Sequence, residues 1–194
     1  CAAKDGGLMA VIEAISTVYL EAFGAEASYI IWDDIPSTYE HLEIRINAQT
    51  NRASYRNEAV EIRLGDTGHS PVDTGANYSY HTIQNDASTT TVAQAVTGTN
   101  VPRIGRISSG FAGAANFGSV VISILDYSNA NKNTTMTSIT GMTAGGTTGN
   151  DTAMRFSSVL WDDVSVVNAI QLMLSDGTGW NRGSEFTLYG LNSA

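Results

Sequence analysis

Between Ile35 and Leu64 the sequence reads IPSTYEHLEIRINAQTNRASYRNEAVEIRL, and two runs of strict alternation inside it restrict what the chain can become. Leu42, Ile44, Ile46 and Ala48 interleave with Glu43, Arg45, Asn47 and Gln49. Val60, Ile62 and Leu64 then interleave with Glu61 and Arg63. A period of two places one set of side chains on a buried face and the other in water, the signature of an amphipathic β-strand. Half-buried strands of this kind belong to antiparallel sheets, so the two runs are expected to pair antiparallel across the polar stretch Thr50 to Glu58. Their charged positions should form a solvated or subunit-contacting face rather than an active one.

The remaining residues point the same way. Charged residues make up only 15% of the chain while glycine occurs 19 times, and this low-charge, turn-rich balance favours β-structure over helix. Residues 1–7 form a lead-in, and residues 8–194 show no compositional break, which implies one domain. Leu8 to Leu20 mixes helix-favouring Ala and Glu with strand-favouring Val, Ile, Thr and Tyr; the balance leans to a strand. Further strands are expected over 28–32, 78–84, 117–127, 134–142, 153–161, 169–175 and 184–191. Phe117 to Tyr127 should be central and 134–142 its hairpin partner. The polar stretch 85–102, ending at Pro102, reads as a long excursion or an irregular edge. About ten strands separated by short turns indicate an all-β, antiparallel, jelly-roll-like β-sandwich.

Several function classes lose support at this point. A net charge of −9 leaves no basic patch for nucleic acid. No apolar run reaches the ~20 residues that a membrane-spanning helix needs, so no membrane partner is expected. The single cysteine, Cys1, permits neither an internal disulfide nor a thiolate metal cluster. Cys1 before Ala2 and Ala3 would suit the lipid-bearing residue of a processed lipoprotein, but the lack of a hydrophobic signal segment favours an ordinary processed terminus.

Candidate chemistry is sparse. His41, His69 and His81 are widely separated, and each is expected to be a surface or rim residue rather than a metal ligand. Asp33–Asp34, Asp162–Asp163, Asp66 and Asp176 offer oxygen ligands of the kind calcium takes, yet paired aspartates at strand ends are also ordinary turn residues. No nucleophile elbow or phosphate loop is present, and Gly141 to Gly149 lacks the lysine and helix that a phosphate loop requires. Neither a catalytic centre, a cofactor nor a metal is therefore expected. The remaining binding signal is aromatic. Trp180, in the loop DGTGWNRG, is a candidate sugar-stacking ring with Tyr78 and Tyr80 as companions, set against the reading that all three plug the ends of the sandwich.

Five segments, in order, are Ile35-Pro36-Ser37-Thr38-Tyr39 with His41 to Arg45; Asn77 to His81; Ile124 to Tyr127; Asn131 to Thr135; and Ser184 to Leu191. Together they resemble small β-rich virion proteins of tailed bacteriophages, and they span most of residues 28–191. The resemblance implies a strand over 8–20 and a non-enzymatic component of the particle: a capsid decoration protein, a head fibre or a tail-associated protein. It also implies that the partners are other virion proteins, such as a major capsid or tail protein, and further copies of this chain. The alternative function is a carbohydrate-binding module or adhesin that reads host-surface glycan through the loop near Trp180.

Overall fold

The computed structural model describes residues 11–21, 27–86, 91–143, 152–176 and 179–192; the expected lead-in 1–7 and the loop tip 144–150 lie outside them. Twelve strands form: β1 (Val11–Tyr19), β2 (Tyr29–Trp32), β3 (His41–Thr50), β4 (Asn57–Gly65), β5 (Tyr78–Asp86), β6 (Thr91–Thr99), β7 (Arg103–Ser109), β8 (Gly118–Leu125), β9 (Thr134–Thr143), β10 (Thr152–Trp161), β11 (Ala169–Leu174) and β12 (Glu185–Asn192). The only helical element among the described residues is a single 3-10 turn, Gly110–Ala112. The all-β expectation holds, and the ambiguous N-terminal segment is a strand over Val11–Tyr19.

The strands make two layers. The long sheet runs β1-β12-β3-β8-β9-β10-β5-β6, and the short one runs β2-β11-β4-β7. They touch where Gln49 and Thr50, at the end of β3, pair in parallel with Ser108 and Ser109 of β7. All other pairings are antiparallel. Four of them nest in sequence: β1 with β12, β2 with β11, β3 with β8 and β4 with β7. The β9–β10 and β5–β6 ladders extend the long sheet beyond that nest.

The two alternating runs are strands, but they do not pair with each other. β3 lies between β12 and β8, whereas β4 lies between β11 and β7 in the opposite layer. Alternation specifies which side chains point inward; it does not say whether the next strand lies beside or across. Here Leu42, Ile44, Ile46 and Ala48 belong to the same buried cluster as Val60, Ile62 and Leu64, so the polar link between them arches from one layer to the other. The expected wet face of β4 is also absent. Glu58, Ala59 and Glu61 are all buried, and Glu61 sits opposite Arg103 of β7. Burial raises the Glu61 carboxyl above its ordinary range, with the opposing pull of Arg103 and then Arg63 too small to cancel it.

The stretch 85–102 is more regular than expected. β5 continues to Asp86, and β6 is an edge strand that pairs, among the described residues, with β5 alone. Nearly every β6 side chain is exposed, so no hydrophobic pattern marks it. β7 was also hidden, since RIGRISS breaks its alternation where a register shift opposes Val60 and Glu61. Phe117 to Tyr127 contains β8, central as expected between β3 and β9, and β9 returns antiparallel to it.

At the end of β4 the chain folds back tightly. A Cβ on Gly65 would lie 2.1 Å from the Pro71 carbonyl oxygen and 2.8 Å from the Val72 Cα, both backbone atoms that cannot swing aside. Gly65→Ala should therefore cost about 2–3 kcal/mol, the scale of an overpacked core, measured as a shift in the urea midpoint without a change in slope.

Candidate functional site

The connection from β4 to β5 and the one after β10 meet at one end of the sandwich. Asp73, in the first, is buried. Its Oδ1 accepts the Gly75 N–H at 2.7 Å; its Oδ2 accepts the Asn77 side-chain amide at 2.9 Å and the Trp161 indole N–H at 2.8 Å. Trp161 closes β10, with its ring stacked at 6.4 Å on Tyr78 and set edge-on to His69 at 5.9 Å. The His69 Nδ1 lies 2.6 Å from Asp66 Oδ1, which also accepts the backbone N–H groups of Gly68 and His69. The Ser165 hydroxyl donates to Asp163 at 2.6 Å.

One ligand atom each from His69, Asp73 and Asp163 can be chosen within 4.8 Å of the others, a spacing compatible with a shared cation. The hydrogen bonds assign a simpler task. Three N–H donors converge on Asp73, and the loop 66–77 closes over Trp161 through them. For both Asp73 and Asp66, burial pushes the carboxyl up, and hydrogen bonding outweighs it to leave a net lowering. The donors are Trp161, Asn77 and Gly75 for Asp73, and chiefly His69 and Gly68 for Asp66.

The aromatic candidates are not exposed. Trp180 is 1% exposed and set edge-on to Phe186 at 4.8 Å, while Tyr78 and Tyr80 are also buried. The Tyr78 hydroxyl accepts the Leu64 N–H at 2.9 Å and donates back to the Leu64 carbonyl at 3.1 Å, which ties β5 to β4. None of these three rings presents a face on which a sugar could stack. Of the two readings for Trp180, Tyr78 and Tyr80, their burial matches rings that fill the sandwich and not the candidate glycan contact: each ring yields more stability by filling the core than it could retain at the surface.

The histidines do not converge. His41 Nδ1 accepts the Asp126 backbone N–H at 3.1 Å, His69 belongs to the Asp66 cluster, and His81 is exposed on β5. The acidic pairs behave as turn residues: Asp33 and Asp34 are exposed, Asp162 donates its N–H to Asn77 and accepts from the Asn133 amide, and Asp176 pairs with Arg52. No described helix is long and apolar enough to cross a membrane.

A second surface stands out that the sequence reading passed over. Across the outer face of the long sheet, Val121, Ile139, Phe156 and Ile83 lie in one register row on β8, β9, β10 and β5. These four are 40–62% exposed, and Met154 and Leu125 extend the patch on the same face. β6, β8 and β9 contain no Asp, Glu, Lys or Arg, and the one such residue of β10, Arg155, is buried. The outward side chains described on these strands are thus uncharged, in a chain with 29 acidic and basic residues (19 and 10). The signal was present in the sequence as charge-free segments, but alternate residues of those segments also build the core, which accounts for their apolar character without a surface.

No protein-family model matches the chain, and neither the curated proteins nor the solved structures searched include a match.

Asp73→Ala should cost about 3 kcal/mol, because the Trp161 indole and the Asn77 amide lose a buried acceptor. Acid should act on the same cluster. With their native carboxyls held low, Asp66 and Asp73 contribute stability above the unfolded value of about 3.9 and lose it as pH falls through the folded values. The unfolding free energy should therefore decline below about pH 4, and less steeply in Asp73→Asn, as read by urea titrations across that range.

Proposed function

We propose that this protein is a non-enzymatic structural component that assembles with copies of itself through the outer face of the long sheet. The observation that carries this reading is the uncharged apolar row Val121–Ile139–Phe156–Ile83. Taking a free side chain of this size as roughly 150 Å², the row with Met154 and Leu125 exposes on the order of 500 Å² of apolar surface. That equals the larger patches of ordinary monomers and is more than half of the ~800 Å² per partner in a standard interface.

Charge selects the occupant. Two copies that each carry a net charge of −9 repel, and like charges brought together at a contact cost further energy. The uncharged part of that face, on β8, β9, β10 and β5 and bordered by Arg45 of β3 beside Val121, is the surface on which such chains can meet at least cost. A basic partner would find no acidic complement there. An isologous contact is the simplest outcome, since the same patch serves both copies.

The setting we propose is a phage-type particle, with the chain as a decoration, fibre or tail-associated protein on its exterior, as the resemblance of residues 28–191 suggests. The nested strand order supports a jelly-roll winding, with the β5–β6 and β9–β10 ladders widening one layer beyond it. The adhesin alternative has lost its aromatic loop, because Trp180 is buried.

Sedimentation velocity between about 1 and 100 µM, a range set by the micromolar affinity typical of modest interfaces, should show the wild-type chain self-associating. Phe156→Glu and Ile139→Asp should remain monomeric while melting near the wild-type temperature, because both side chains are exposed. A wild type that stays monomeric throughout would contradict the assembly reading. Mass spectrometry of purified particles checks the setting separately, and its absence from them would remove the virion assignment.

A further inference from the structure

A β-sheet ends on each side in a strand whose outward N–H and C=O groups have no ladder partner, and such an edge pairs with another chain unless it is short, charged, bulged or covered. Three of the four edges, those of β1, β2 and β7, are blunted in these ways. β1 carries Glu13, which accepts the Tyr39 hydroxyl at 2.9 Å, and a bulge between Ala14 and Ser16 breaks its ladder with β12. β2 is only four residues long. β7 carries Arg103 and Arg106; its Ile104 carbonyl accepts the Ser138 hydroxyl of the long sheet, and its last residues pair with β3.

β6 lacks these protections over most of its length. Its sequence, TVAQAVTGT, contains no acidic or basic residue and no proline. Thr91 to Val96 keep unbroken register with Asn85 to Tyr80 of β5, and the irregularity comes after them, where Gly98 adopts a φ of +62°. Thr91 to Ala95 are all exposed, and among the described residues β5 is the strand's only ladder partner. Alternate residues of an antiparallel edge strand turn their N–H and C=O groups away from the neighbour. The outward side of Thr91 to Val96 is therefore an open template.

We propose that β6 is a second contact between copies of this chain: two β6 strands pair antiparallel about a two-fold axis and join two long sheets edge to edge. Charge and symmetry select the occupant. An antiparallel strand pair is self-complementary, and this edge brings no charge against a partner whose net charge is also −9. The inference rests on the outer-face contact and extends it. Ala93 lies opposite Ile83, so it continues the row Val121–Ile139–Phe156–Ile83 to the edge. A two-fold axis perpendicular to the sheet keeps both outer faces on one side. The rows of two copies then run into each other, and their apolar patch doubles to on the order of 1,000 Å², above the ~800 Å² per partner of a standard interface. A two-stranded junction by itself is marginal in water. The edges therefore close between copies that the faces already hold, and produce species larger than the dimer.

Val92 and Gln94 test the edge without touching the contact face, because they lie opposite Gln84 and the buried Thr82 and project to the inner side. Both are exposed, so the fold tolerates charge there. A two-fold pairing centred on Ala93 sets Val92 against Gln94 of the second copy, and one centred on Gln94 sets Gln94 against itself. In sedimentation velocity at about 100 µM, the wild type should form species larger than the dimer. Val92→Lys/Gln94→Lys and Val92→Glu/Gln94→Glu should each stop at the dimer, since like charges then face each other across the junction. An equal mixture of the two variants should restore the larger species, which a folding defect cannot do. A wild type that halts at the dimer, charged variants that assemble as the wild type does, or a mixture that stays dimeric would each overturn the edge pairing and leave the face contact standing. A wild type that stays monomeric rejects the face contact, and the edge pairing with it.

Discussion

The arch that carries the chain from β3 in one layer to β4 in the other is the constraint on which the rest of the molecule depends. Leu42, Ile44 and Ile46 from one layer and Val60, Ile62 and Leu64 from the other are all almost fully buried. Each side chain of this size removed from water contributes roughly 1.5–3 kcal/mol. Because β3 and β4 sit in different layers, four other strands close around one or the other. β8 and β12 flank β3, and β7 and β11 flank β4. The nested order of the sandwich follows from that first arch.

Much of this was legible in the residues, but only where one face of a strand meets the core and the other meets water. β3 is such a strand, and its inward set was read correctly down to Ala48. β4 was read as half-wet because Glu61 and Arg63 alternate with aliphatics, yet Arg103 across the ladder shelters Glu61 on the outer side. That shelter depends on a partner forty residues away, so it carries no local signal. β6 carries no such signal for the opposite reason: most of its side chains are exposed, with Val96 the one hydrophobic residue described as packing on the core, so it needs no hydrophobic period. The candidate rings failed on burial. A tryptophan in a glycine-rich loop looks available to a ligand, but the loop after β11 returns to β3 through the Asn51–Gly179 and Gln49–Asn181 hydrogen bonds and carries Trp180 inward.

Charge is distributed with a consistent logic. The widened half of the long sheet keeps acidic and basic residues off its outer side, and on its inner side holds one guanidinium, Arg155. The outer side is where we propose that copies of the chain meet. The Asp66–His69–Asp73 cluster lies at the Trp161 end of β10 and acts through hydrogen bonds on the loop 66–77. The hydrogen-bonded loop cluster and the proposed contact face thus occupy separate parts of one sandwich.

Amide hydrogen exchange at low and high protein concentration tests the central claim most directly, because it locates the contact as well as detecting it. If the outer face of the long sheet is where copies meet, exchange at high concentration should slow in β8, β9, β10 and β5 and stay unchanged in β2 and β11. Protection that does not vary with concentration, or that appears on the short sheet instead, would contradict it.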